Sequence, residues 1–464
     1  MADKFKFEPT PTQKMADKYD VVIIGSGGTG LTAALQAHEL GLKPVVFEKM
    51  ARLGGNTTRA SSGMNAAETT VQLKHHVVDS MADFYHETLV GGGNQNNQQL
   101  LEFFTNHSAL AIDWLAEHGV KLDDITITGG MSKMRTHRPS SMAPIGGFLI
   151  TELLKLVQAA KIPVFTGVKV TDINTTDNVL SGVTLDIIGV KKELATTAVI
   201  LATGGFGANK QMLAKYRPEL AEYKTTNQPG AKGDGIELAR SLGAKLVDMD
   251  QVQVHPTVQQ DTDHTYLIGE AVRGEGAILV NNDGQRFVNE LDTRKNVTAA
   301  IDSLGGTGAF LIFDQGIRDR VKAIEFYDHV GLVHHGTEIT DLAKTINVPS
   351  KALETTIANW NMAVTEHNDQ QFNRKTGMDR GVVTGPFYAI HIAPAVHYTM
   401  GGVAINTATE VLNEDNQPIA GLYAAGEVVG GLHGNNRIGG NSIAETVIFG
   451  RQAGIQVFAY VQSK

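Results

Sequence analysis

Apolar positions along the chain fall into two patterns. Short unbroken runs rich in β-branched residues mark strands covered on both faces, and apolar positions at helical spacing mark helices packed on one side. The first run, Asp20-Val21-Val22-Ile23-Ile24, reads as a buried parallel strand. A glycine turn follows, then an Ala/Leu-rich helix over Leu31 to Leu40 stopped by Gly41, then a second strand over Pro44-Val45-Val46-Phe47. Strand, helix and strand in that order make one βαβ unit. Further on, Gln98 to His118 and Phe148 to Ala160 have the spacing of amphipathic helices. Pro163 to Ile173 reads as a strand that leads into a hairpin around Thr175 to Ser181. Two more buried runs, Ala198-Val199-Ile200-Leu201-Ala202 and Gly421-Leu422-Tyr423-Ala424-Ala425-Gly426-Glu427, resemble the first in character. Strands from both ends of the chain are therefore expected in one sheet. The stretch from Val254 to Ala395 lacks this alternation and is expected as an inserted domain.

At 464 residues the chain is too long for one ordinary core. The predicted class is α/β, a Rossmann-like domain with an inserted α+β capping domain. Its expected parts are a polar N-terminal leader (1–18), the first part of the Rossmann-like domain (19–253), the capping domain (254–395) and the second part of the Rossmann-like domain (396–464). Hydrophobic residues at 42% and charged residues at 19% fit a globular chain. A net charge of −9 argues against a nucleic-acid partner, which would need a basic surface. No apolar run approaches the roughly 20 residues that span a bilayer, so no integral membrane segment is expected. Residues 1–20 carry no apolar h-region, and the expected compartment is the cytoplasm. There are no cysteines, which excludes disulfides, Cys-ligated iron–sulfur clusters and c-type haem attachment within the chain. Redox chemistry here would need an organic cofactor. No metal is expected, and His334-His335 lacks a third ligand.

Gly25-Ser26-Gly27-Gly28-Thr29-Gly30 is G-x-G-x-x-G placed after a strand and before a helix. Gly25 permits the tight turn. Gly27 and Gly28 let backbone N–H groups reach a pyrophosphate, and Gly30 lets helix and strand pack closely. The helix N-terminus then faces the anion. Glu48 closes the second strand, where a carboxylate accepts ribose hydroxyls. Gly54-Gly55 follows at a spacing that resembles the two-dinucleotide-binding flavoproteins and points to FAD. Ala202-Thr203-Gly204-Gly205 resembles their second flavin motif, and Leu422 to Glu427 resembles the final strand whose acid reaches the ribityl chain. No second complete glycine fingerprint follows a strand, so a separate NAD domain is not expected.

Longer segments narrow the picture. They are Gly54-Gly55-Asn56-Thr57 through Ser62-Gly63-Met64-Asn65-Ala66-Ala67; His255-Pro256-Thr257; Glu270-Ala271-Val272-Arg273-Gly274; Arg286-Phe287-Val288-Asn289-Glu290 leading to Arg294; His397-Tyr398-Thr399-Met400-Gly401-Gly402; and His433-Gly434-Asn435-Asn436-Arg437-Ile438-Gly439-Gly440-Asn441-Ser442. From Tyr19 to the C-terminus the chain resembles the fumarate reductase/succinate dehydrogenase flavoprotein family, in its soluble branch related to the flavoprotein part of flavocytochrome c. The resemblance implies that His255, His397 and Arg437 bind substrate carboxylates. It implies that Arg294 donates the proton and that Glu270 and Arg273 return one to it. It carries FAD contacts to Glu48, Gly55, Asn56, Thr57, Ser62, Gly63, Val168, Thr203, Gly204, Asp234, Glu427, Asn441, Ser442 and Ile443. Two departures matter. Gly269 stands where that family usually has a threonine that donates to one carboxylate. No histidine occurs between Met50 and Asn65, where the respiratory members attach FAD covalently, so FAD is expected to be non-covalent.

Reduction of a carboxylate-conjugated C=C bond needs a hydride at one carbon and a proton at the next. Negative charge grows as the hydride arrives, and cationic donors around the carboxylates lower that barrier. Arginine is an unusual acid, because its guanidinium ordinarily keeps its proton far above neutral pH. Clustered positive charge in a dry pocket lowers such a value. The expected reaction is fumarate to succinate. Alternatives are reduction of another unsaturated carboxylate of the urocanate or acrylate type, an L-aspartate oxidase, or an electron-transferring subunit without its own turnover. The expected partners are a small dicarboxylate and an external electron donor: reduced flavin, a nicotinamide or a redox protein.

Overall fold

The computed structural model describes residues 5–177, 179–262, 264–306 and 308–464. The chain divides into two compact units. One comprises residues 1–221, 227–253 and 398–464; the other comprises 222–226 and 254–397.

The first unit is built on an eight-stranded sheet. Six of its strands run in the order Glu410–Leu412, Pro418–Ala424, Val190–Leu201, Lys18–Ile24, Pro44–Glu48, Val164–Thr166, and Val168–Thr176 and Val179–Ile187 join through Val190–Leu201. Four neighbouring pairs of this series are parallel, with Val22 opposite both Val45 and Val199, and Leu422 also opposite Val199. Val21, Val22 and Ile23 are wholly buried, as strands covered on both faces require. The helix Gly28–Glu39 starts three residues before the apolar run that announced it, because the glycine turn itself forms the first helical turn. Gly25 has φ +109°, and a Cβ there would meet the Ala202 carbonyl at 2.3 Å. A Cβ on Gly30 would lie 2.0 Å from the Gly25 carbonyl oxygen. No other residue type fits this strand-to-helix turn.

Two expected elements are each divided. Pro163 to Ile173 is two strands, Val164–Thr166 and Val168–Thr176, separated at Gly167, whose φ is +68°. The first piece extends the parallel sheet, and the second turns into an antiparallel hairpin with Val179–Ile187. Gln98 to His118 is likewise two helices, Gln98–Asn106 and Ser108–Glu117. His107 ends the first with its ring on the Phe103 carbonyl, and the Ser108 hydroxyl takes the Thr105 carbonyl. Asn, His and Ser in succession offer such side-chain bonds in place of the helical ladder. The N-terminal segment read as a polar leader is tied down where Thr10 N–H donates to the Val164 carbonyl and where Met15 is buried; residues 1–4 lie outside the described residues.

The second unit holds a six-stranded sheet in the order Tyr266–Leu267, Val252–Gln259, Phe387–Thr399, Ala309–Asp314, Ile278–Val280, with His334–Gly336 also on Phe387–Thr399. Helices Arg294–Asp302, Ala323–His329 and Ser350–Thr365 supply Val297, Ile324, Tyr327, Ile357 and Trp360 to its core. Among the described residues, no helix is long and apolar enough to cross a membrane.

Candidate active site

In the first unit the glycine turn, the end of the second strand and the start of the C-terminal helix form one polar cradle. Glu48 is buried, and its Oε2 accepts from the Ser26 amide at 3.1 Å and the Ser26 hydroxyl at 2.7 Å. Its Oε1 accepts from the Met50 amide at 2.8 Å. These bonds fix the carboxyl group beside the turn. Gly28 N–H donates to Thr57 Oγ1 at 3.1 Å. Gly55 brings its backbone to Gly27 without a side chain on either, since a Cβ on Gly55 would stand 3.4 Å from Gly27 Cα. Gly204, φ +71°, has open space where a Cβ would be. Asn56 accepts from the Gln228 amide at 2.9 Å and donates to Glu427 at 3.3 Å. Glu427 also accepts from the Thr399 amide at 3.1 Å. Burial pushes its carboxyl up to about 7; nearby Glu445 adds to the rise, while Thr399, Asn56 and Arg437 oppose it.

The remaining expected cofactor residues of this unit take varied positions. Gly63 packs on the His137 carbonyl, Val168 and Ile443 are buried, Ser442 is half-buried and Ser62 is exposed. Thr203 abuts Gly235, and Asp234 pairs with Lys49 at 2.7 Å. Asn441 is wholly buried, and its Nδ2 has no hydrogen-bond partner among the described residues. A buried amide donor left over in such a cradle is costly unless a ligand takes it. A glycine turn, a buried acid and an unspent buried donor together suit a dinucleotide carrying phosphates and hydroxyls.

Arg437, also in this unit, is held on three sides. Its Nη1 donates to the Ile438 carbonyl at 3.1 Å and its Nη2 to Gln253 Oε1 at 3.0 Å, while its Cζ stacks 4.6 Å over the Tyr398 ring. Gln253 in turn donates to Asn436 Oδ1 and the Arg437 carbonyl, both at 2.8 Å. Beneath them, Tyr398 donates to Glu445 Oε2 at 2.6 Å, and His433 Nε2 faces the same oxygen at 3.1 Å. All of these side chains except Asn436 are buried. Sequence reading missed Gln253 and Glu445; their partners stand 184 and 47 residues away, with no local pattern to announce them.

The second unit carries the other cationic groups. Arg294 opens the helix Arg294–Asp302, which Thr293 caps on the Asn296 amide. Its Nε donates to Glu270 Oε1 at 2.7 Å, and Arg273 Nη2 stands 3.9 Å from that same oxygen. Arg273 is 2% exposed, and its Nε and Nη2 make no hydrogen bond among the described residues. Burial lowers the pKa of its guanidinium, and Arg294 and Arg374 push the same way. The segment Arg286 to Glu290 is the anchor of this array. Buried Glu290 accepts from Arg286 at 2.8 and 2.9 Å and from Arg374 at 3.1 Å, while Arg286 also pairs with Asp369. Arg286 and Arg374 both stack on Trp360.

His255 and His397 also belong to this unit, with ring centroids 5.4 Å apart. Buried His255 accepts from the Thr257 amide at Nδ1, 3.3 Å, which leaves its imidazole proton on Nε2. His397 Nδ1 meets the Thr226 hydroxyl at 2.8 Å. Gly269 has φ −60° and ψ 149° and precedes the short helix that begins with Glu270.

Comparison with known proteins places these features in context. The FAD binding domain family model matches residues 20–443. The chain is 49% identical over 441 residues to the NADH:fumarate oxidoreductase of Klebsiella pneumoniae (strain 342), with 94% of this chain and 47% of the relative aligned. It therefore spans about half the length of that relative. It is 40% identical over 450 residues to the fumarate reductase (cytochrome) of Shewanella frigidimarina, covering 96% of this chain and 78% of that one. Among solved structures, the open conformation of a flavocytochrome c3 fumarate reductase superposes with a TM-score of 0.84 at 37% identity, covering 97% of this chain and 79% of the other.

Proposed function

The chain belongs to the FAD binding domain family, and from that premise we propose that it reduces fumarate to succinate with non-covalently held FAD. Bound FAD supplies hydride to one carbon of the C=C bond. Gly25, Gly27, Gly28 and Gly30 would receive its pyrophosphate, Glu48 a ribose, and Asn56, Glu427 and Asn441 its polar edge. No histidine between Met50 and Asn65 is available to link it, so acid precipitation should release all flavin to the supernatant; flavin retained in the pellet would refute this.

His255, His397 and Arg437 hold the carboxylates, and their positive or proton-donating edges stabilise charge that builds on the enoate. Arg294 gives the proton to the second carbon. Glu270 returns a proton to Arg294, and Arg273 stands near the same Glu270 oxygen. The observation that carries this reading is the array in which one carboxylate oxygen of Glu270 meets Arg294 at 2.7 Å and Arg273 at 3.9 Å. A simple surface ion pair would not need a second guanidinium that is 2% exposed.

The direct test is single-turnover mixing. The FAD-loaded chain, reduced anaerobically with dithionite, should reoxidise on adding fumarate. Flavin that stays reduced in excess fumarate would sink the proposal. Gly269 favours a second reading, reduction of another small unsaturated carboxylate, because the usual threonine hydroxyl is absent there. The same mixing with acrylate and urocanate separates the two. The electron donor is external, a reduced flavin, a nicotinamide or a redox protein.

A further inference from the structure

We propose that the hydroxyl of Tyr327 donates a hydrogen bond to the substrate carboxylate held at His255, so that this tyrosine is a specificity-determining residue. The inference rests on the carboxylate-binding reading given above.

Tyr327 lies on the helix Ala323–His329, with its ring packed into the core of the second unit and only 5% of the residue exposed. Its hydroxyl oxygen accepts from the Gly269 amide at 3.1 Å. Among the described residues no acceptor takes the hydroxyl's own proton. A buried hydroxyl with one bond as acceptor and an idle donor is incompletely satisfied. Burial also pushes its pKa up, so the proton stays on the oxygen at neutral pH.

The backbone that Tyr327 reaches is joined to the strand that carries His255. Ile268 N–H donates to the Thr257 carbonyl at 3.0 Å, and Thr257 Oγ1 donates to the Ile268 carbonyl at 2.9 Å. Gly269 follows Ile268 directly, and His255 stands two residues before Thr257 on the facing strand. The backbone at Gly269, φ −60° and ψ 149°, suits any residue. Glycine is therefore not needed for the turn. What it provides is the lack of a side chain next to the amide that Tyr327 reaches. Gly269 carries no hydroxyl of its own, and the fold brings one in from 58 residues away.

A competing role is purely structural. Tyr327 would then only pin Gly269 and hence the helix that carries Glu270. Losing that pin would disturb proton delivery and lower kcat. Losing a substrate contact would instead weaken affinity with kcat preserved.

The test uses the full FAD-loaded chain as wild type, as Tyr327→Phe, and as Tyr327→Phe combined with Gly269→Thr. Two readouts are taken. One is KM and kcat for fumarate with reduced methyl viologen. The other is the Kd of succinate, from its perturbation of the flavin absorbance. Tyr327→Phe should raise KM and Kd about tenfold or more, as expected for a lost bond to a charged group, with kcat within about twofold. Adding Gly269→Thr should recover most of the lost affinity, because the hydroxyl returns from the other residue. Unchanged Kd in Tyr327→Phe, or a fall in kcat alone, would overturn the inference. So would a wild-type chain that binds no succinate. If the wild type binds succinate but turns over no fumarate, the fumarate reading fails while the succinate titration still decides the role of Tyr327.

Discussion

Nε of Arg294 donates to Oε1 of Glu270 at 2.7 Å, so the first residue of one helix is paired with the first residue of another, 24 positions earlier. If Arg294 is the acid and Glu270 its proton source, the two should fail in the same way. Arg294→Ala should lower kcat by about 10³-fold or more, within reach of the roughly 10²–10⁴-fold typical of positioned acids. Arg294→Lys keeps the charge, but it lacks the planar fork and should recover little. Glu270→Gln should lower kcat while KM changes little. Reduction of the flavin by dithionite should survive in all three. Should Arg294→Lys retain most of the rate, Arg294 only attracts the anion.

Arg437 and Gln253 make a second pair, joined at 3.0 Å. Arg437→Ala should raise KM for fumarate steeply, since a lost buried charged contact costs on the order of 2–5 kcal/mol. Gln253→Leu leaves the guanidinium in place but releases one of its holds, and should raise KM by a smaller factor. FAD content should be normal in both. Steady-state kinetics beside flavin quantitation check this, and unchanged KM in Arg437→Ala would put that residue outside the site.

Glu427 gives a pH signature. Burial raises its carboxyl from the usual 4.5 to about 7, so the folded chain holds a proton that the unfolded chain releases above pH 4.5. The stability linked to that proton is full below 4.5 and is lost as pH rises through 7. A shift of that size corresponds to about 3 kcal/mol. Freed of FAD, the chain should therefore melt at progressively lower temperature from pH 5 to pH 8, and Glu427→Gln should flatten the curve. An equally steep curve in the Gln variant would assign the dependence to other groups.

The buried lattice around Glu290 supports Arg294 through the segment that joins them. Glu290→Ala leaves Arg286 and Arg374 without their shared partner. Breaking a buried ion pair from one side costs about 3–5 kcal/mol. Urea unfolding should show a lower midpoint for this variant. A midpoint within error of wild type would mean that the second unit relaxes around the loss.

The elements that depend on neighbours in sequence were legible from the chain alone. The unbroken run at Val21 to Ile24, the turn at Gly25 to Gly30 and the acid at Glu48 announce a βαβ unit because each acts within one or two turns of backbone. That the Leu422 and Val199 strands share one sheet was expected from their matching apolar character; their parallel neighbouring register was not. What stayed hidden depends on partners far away. Arg374 meets Glu290 across 84 residues, and Gln253 meets Arg437 across 184. Periodicity reports which face of an element is buried and not which side chain waits opposite. The divisions at His107 and Gly167 escaped for a different reason, since one residue's backbone angle ends an element without disturbing the apolar pattern around it.

The most direct measurement is product formation by the isolated, FAD-loaded chain under anaerobic conditions, with reduced methyl viologen as donor and fumarate as substrate. One succinate should appear for every two viologen radicals oxidised, and Arg294→Ala should abolish it while keeping its FAD. Viologen that stays reduced in the presence of fumarate, with FAD fully bound, would contradict the assignment of fumarate reduction to this chain.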